Sequence, residues 1–178
     1  MNGGLLIASV TTTLRNSLAD WLAANPGGLL SRQVEISTLP PTRDVSGRAG
    51  GPVIAHLYLR SVAPRRDLHQ APGGAAGAHD AASADRDRFD GIELGYLVGV
   101  MPIQELDTEI VLGAALDWIR NSPVMTLEAV APVTGAAVDS WRLRVLLEEL
   151  STEEMAAMSR AVEGACRVHV AIRVQLVR

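Results

Sequence analysis

The closing stretch of the chain alternates strictly between apolar and polar positions. From Cys166 to Arg178, Val168, Val170, Ile172, Val174 and Leu176 fall on one side. Arg167, His169, Ala171, Arg173 and Gln175 fall on the other, which is the period of a strand half buried against a core. The same period runs through Trp141 to Leu147, where Trp141, Leu143, Val145 and Leu147 share one face and Arg142 and Arg144 the other. Between these strands, Ser151-Thr152-Glu153-Glu154 has the form of a capping box. In that motif the hydroxyl and the carboxylate satisfy each other's orphan backbone donors at a helix start. A long strand near a terminus is an edge-pairing liability unless something covers it, and this points toward assembly.

Upstream the periods change. Val10, Leu14, Leu18, Trp21 and Leu22 recur at helical spacing from Ile7 to about Ala23, with Arg15, Asn16 and Asp20 off the stripe. Asn25-Pro26-Gly27-Gly28 stops that helix. Gln33 to Thr38 alternates as a short strand, and Pro52 leads into a second strand ending near Arg60. Residues 61–90 carry no apolar periodicity and are rich in Ala, Gly, Asp and Arg; such a stretch reads as a mobile surface insertion. Ile92 to Met101 reads as a buried strand closed by Pro102. Leu106 to Arg120 is a second helix, with Leu106, Ile110, Gly113 and Asp117 on one line and Leu112, Leu116 and Ile119 on another. Apolar residues on two sides predict burial between layers or at a subunit contact. Residues 123–140 read as loop or irregular strand.

About five or six strands with three irregularly interspersed helices predict an α+β fold, a single mixed or antiparallel sheet covered on one face. At 178 residues, 48% hydrophobic and 20% charged, the chain suits one globular domain, residues 1–178, carrying the insertion at about 61–90. Net charge is -4, which gives no electrostatic case for nucleic acid. Every basic residue is arginine, the side chain best suited to planar bidentate pairing. One cysteine, no basic leader and no apolar run long enough to span a bilayer predict a soluble, cytoplasmic protein with no membrane partner.

Candidate chemistry is sparse. Asp85, Asp87 and Asp90 before Gly91 depart from a calcium loop, since Phe89 takes a ligand position and arginines intervene. His56, His69, His79 and His169 lack the paired spacing of zinc ligands. Cys166 and His169, three apart on a strand, fall on opposite faces. No nucleophile elbow or phosphate loop occurs, and a chain without lysine has no Schiff base. Glu148, Glu149, Glu153 and Glu154 cluster at a helix start, where capping and the helix dipole explain them. The expectation is no catalytic residue, no cofactor-binding residue, no metal and no enzyme activity. What remains is a set of strand arginines, Arg142, Arg144, Arg167, Arg173 and Arg178, with Gln175. They form either a solvated sheet face, or a polar subunit interface or channel-facing surface.

Several segments together resemble a known family. I-A-S-V-T-T-T-L-R-N-S-L at the start, P-V-I-A-H-L-Y-L-R-S-V-A-P, I-E-L-G-Y-L-V-G-V and L-G-A-A-L-D-W-I-R-N-S-P-V follow one another in order. L-E-E-L-S-T-E-E-M-A-A-M-S-R-A-V with C-R-V-H-V-A-I-R-V-Q-L-V-R closes the series. The series resembles the tail-terminator, or cap, proteins of phage-tail-like extracellular contractile injection systems. The match covers nearly the whole chain outside Ser61 to Asp90, where relatives have a shorter turn. The resemblance implies a structural cap: a homo-hexameric ring on the distal end of the inner tube, touching the last sheath layer and stopping polymerisation. Its partners would be further copies of itself, the inner tube protein and the sheath protein. Ring closure also answers the edge problem, because heterologous contacts that close leave no open edge. The competing reading is a transient assembly chaperone or adaptor, which would be missing from purified particles. On the cap reading Val168 to Leu176 packs inward, while Arg167, Arg173 and Arg178 face a neighbouring subunit, the sheath or the channel, so charge reversal at Arg173 should spare the fold and impair ring or particle assembly.

Overall fold

The opening helix, α1 (Gly3–Ala24), buries Leu6, Val10, Leu14, Leu18 and Leu22, one residue per turn at the spacing that keeps a single face inward. The computed structural model describes residues 3–25, 33–41, 51–64, 92–101, 106–128, 141–161 and 169–177. The remaining elements are β1 (Val34–Ser37), β2 (Val53–Pro64), β3 (Ile92–Met101), α2 (Asp107–Asn121), β4 (Val124–Thr126), β5 (Arg142–Leu147), α3 (Thr152–Ala161) and β6 (His169–Val177). The strands form one mixed sheet of six in the order β1-β2-β3-β6-β5-β4. Only β1 and β2 pair in parallel; every other pair is antiparallel. The α+β class with one mixed sheet is therefore as expected.

The inward face of the sheet carries Ala55, Leu57, Tyr96, Val98, Leu143, Val145, Ile172 and Val174, all buried in one cluster with α1 and α2. Val170, Ile172, Val174 and Leu176 share that face, so the alternation of the closing strand translates directly into packing. Val168 lies outside the described residues. Polar groups tie the helices to one another and to the segment after β4. The Trp118 indole N–H donates to Ser17 Oγ at 3.0 Å, and the Glu128 amide donates to Thr13 Oγ1 at 2.9 Å. Tyr96 bridges sheet and helix through its hydroxyl, 2.8 Å from Thr11 Oγ1.

That phenol has a pH consequence. Burial pushes the Tyr96 hydroxyl up to about 12, against a smaller opposing pull from Thr11. Between the ordinary value of 10.0 and about 12 the unfolded chain releases the proton while the folded chain keeps it. Folding stability is intact below this window and falls as pH rises through it, by about 1.4 kcal/mol at pH 11. Denaturant titrations at pH 9 and pH 11 should show that loss, and Tyr96→Phe should abolish it. With no lysine in the chain, no ammonium titrates in the same range.

Four expectations are corrected. The closing strand is not an edge left for a neighbour: β6 lies inside the sheet, paired with β3 on one side and β5 on the other. The second strand does not end near Arg60: it runs on to Pro64, past a bulge at which Leu59 pairs Tyr96 and Ser61 pairs Gly95. The extra residue, Arg60, shifts the alternation by one, which is why Ser61 to Pro64 read as part of the insertion. Residues 65–91 lie outside the described residues. Within 123–140, Val124–Thr126 is a regular edge strand on β5. On α2, Leu112 and Ile119 are buried as expected. The Leu106 line faces outward, however, with Leu106 63% exposed, and the innermost stripe is Val111, Ala115 and Trp118.

Candidate functional site: the polar face of the sheet

On the second face of the sheet the cross-strand register decides which polar residues meet. Arg144 of β5 stands opposite Gln175 of β6, Gln175 opposite Glu93 of β3, and Arg173 opposite Gly95. Gln175 Nε2 donates to Glu93 Oε2 at 2.9 Å. Arg173 reaches both neighbouring carboxylates, Nε to Glu93 Oε1 at 3.1 Å and Nη2 to Glu148 Oε1 at 3.3 Å. Glu148 also takes Arg60 from β2, Nη2 to Oε2 at 2.7 Å.

Gly95 makes this last contact possible. A Cβ there would collide with Ser61 Oγ and come within 3.2 Å of Arg60 Nη2. Without a side chain on β3, the Arg60 guanidinium lies across that strand and meets a carboxylate arriving from the end of β5. The Arg60–Glu148 pair is 17% and 13% exposed in its side chains, dry enough for charge-assisted bonds to count and for a lost partner to be costly. Arg60 Nη1 sits 3.6 Å from Glu154 at the start of α3. There the capping box forms as expected: the Ser151 amide donates to Glu154 Oε2 at 2.9 Å and the Glu154 amide to Ser151 Oγ at 3.2 Å. The Ser151 amide, then its hydroxyl, then Arg60 hold the Glu154 carboxyl below the usual range.

Of the six residues anticipated as an interface, Arg167 and Arg178 lie outside the described residues. The structure brings Arg173 and Gln175 together, but as members of an intramolecular network rather than as loose surface groups. Arg142 and Arg144 are both exposed on β5, with Arg142 Nη1 donating to the Trp141 carbonyl at 3.4 Å. Glu148 is not a capping group, as its position suggested; it is the carboxylate shared by Arg60 and Arg173. Alternation alone assigns Glu93, Arg60 and Gly95 to a face but not to a neighbour, so the sequence carried no direct sign of their meeting. Burial lowers the His169 pKa, since its half-buried ring favours the neutral form. Among the described residues no three His, Cys, Asp or Glu side chains gather as a metal set. His69, His79, Cys166 and the Asp85 to Asp90 group lie outside the described residues. No helix among the described residues is long and apolar enough to cross a membrane.

Among the described residues the fold is a mixed six-stranded sheet with two helices on one face and an ion-pair lattice on the other. It matches a chain solved by cryo-electron microscopy in an extracellular contractile injection system, described as the PVC sheath/tube terminator in the extended state. The TM-score is 0.55 at 12% identity, covering 95% of this chain and 54% of that one. This chain thus spans about half the length of that structure's chain. At that identity the match speaks for the fold. The sequence places the chain more narrowly: it belongs to the Pvc16 N-terminal domain family, whose model matches residues 9–178. The family resemblance carried by the motifs is thereby borne out. No curated protein matches the chain.

Proposed function

We propose that this chain is the terminator of a contractile injection system, a structural protein that caps the inner tube and meets the last sheath layer. The observation that carries the reading is the family match over residues 9–178, supported by a shared fold with a sheath/tube terminator. Residues 1–178 act as one terminator domain, assembled in the cytoplasm as a homo-hexameric ring with tube and sheath proteins as partners. The polar residues that do converge, Arg60, Glu93, Glu148 and Arg173, neutralise one another across strands. Such a cross-strand lattice suits a rigid plate.

Electron microscopy of the chain alone and mixed with inner tubes tests this. Six-fold rings in solution or on one end of each tube, and tubes that stop growing when the chain is added, are the expected result. The protein should also persist in purified mature particles. Its loss from them, with binding to a single unassembled component, would instead identify a transient assembly chaperone.

A further inference from the structure

The two ends of the sheet are unlike, and their chemistry is complementary. At one end the second face holds a hollow of about 470 Å³ between β1, the turn at Leu39–Pro40 and β2. Its walls are the apolar Leu39, Pro40 and Ile54, with Glu35 at the rim and His56. Glu35 is exposed and Leu39 is 70% exposed. His56 is 2% exposed; its Nδ1–H donates to the Leu39 carbonyl at 2.9 Å. Among the described residues its Nε2 is buried with no partner. Apolar walls beside a rim carboxylate suit an apolar side chain next to a cation.

The other end of the same face offers that combination. Val124 of edge strand β4 is 54% exposed, and its cross-strand partner is Arg144, also exposed. Arg144, Gln175 and Glu93 are register partners on the face that also carries Ile54 and His56. Both surfaces therefore lie on one side of the sheet, at opposite edges. Among the described residues β1 pairs only with β2 and β4 only with β5. With four and three residues, these edges are too short to join by backbone ladder alone. The Ile36 carbonyl on the β1 edge already accepts from Arg15 Nε at 3.4 Å. Side chains must carry the contact.

We propose that the hollow at β1 and β2 receives the β4–β5 edge of a second copy of this chain, Val124 entering it and Arg144 pairing with Glu35. The contact is heterologous, so it repeats head to tail and closes only as a ring. It rests on the ring reading above and supplies that ring's subunit contact, giving Arg144 a partner and leaving Arg173 to the fold.

Charge exchange tests the contact. Glu35→Arg and Arg144→Glu should each weaken assembly about tenfold, read by sedimentation velocity across a concentration series. The two changes combined in one chain should restore most of the loss. As an independent arm in a Cys166→Ser background, a Glu35→Cys chain mixed with a Val124→Cys chain should be joined by a short bismaleimide. Neither should be joined to its own kind. Rings that form normally in both single charge variants, or no joining of unlike chains, would overturn the contact while leaving the ring standing. A wild-type chain that stays monomeric at every concentration, with and without tube, would remove the ring and this contact together.

Discussion

Trp118→Ala is expected to lose about 3–5 kcal/mol of folding stability, the usual range for emptying a large aromatic site in a core. Trp118 is fully buried on α2. It sits on the stripe formed with Val111 and Ala115, so its ring fills the space between that helix, α1 and the sheet. Truncation removes the transfer energy of the indole, leaves a cavity and orphans the Ser17 hydroxyl that accepts the indole N–H. Trp118→Phe keeps most of the volume and loses only the hydrogen bond and some packing, for a smaller cost of about 1–2 kcal/mol. Urea denaturation followed by far-ultraviolet circular dichroism separates the two. An alanine variant within about 0.5 kcal/mol of the parent would place α2 outside the cooperative core.

That stripe is hidden from local periodicity. The amphipathic pattern of α1 and the alternation of β6 were legible because one residue class repeats at one period, and their inward positions are buried as that period requires. On α2 the same logic gives two lines, Leu106-Ile110-Gly113-Asp117 and Leu112-Leu116-Ile119. Val111 and Ala115 are small, and Trp118 next to Asp117 did not complete a visible stripe, so the innermost line went unnamed. The parallel pairing of β1 with β2 was not legible at all, because strand order depends on non-local pairing that no local period encodes. The ion-pair lattice failed to show for a related reason. Arg60 and Glu148 lie far apart in the chain, and their meeting requires the bulge at Arg60, the missing side chain at Gly95 and the β3–β6 register all at once.

Arg173→Glu is expected to destabilise the fold by about 2–3 kcal/mol, with the 39% exposure of the native side chain keeping the loss at the lower end of what buried pairs show. The reversed charge would face Glu93 and Glu148, whose side chains are 14% and 13% exposed. It would also release Glu148 from one of its two arginines. The cap reading has this reversal sparing the fold; the two carboxylates that meet Arg173 argue for a loss of stability instead. Two controls fix the cause. Adding Glu93→Gln to the Arg173→Glu chain should return about 1 kcal/mol, as coupled neighbours do, and raising salt to 1 M should shrink the loss by screening. Arg144→Glu, on the exposed end of the same face, should change stability by no more than about 0.5 kcal/mol. If assembly weakens in the Arg144 variant at unchanged stability while the Arg173 variant loses stability, the two arginines separate cleanly into a joint between subunits and a tie within one. Equal stability losses in both would instead make the whole face a single intramolecular lattice.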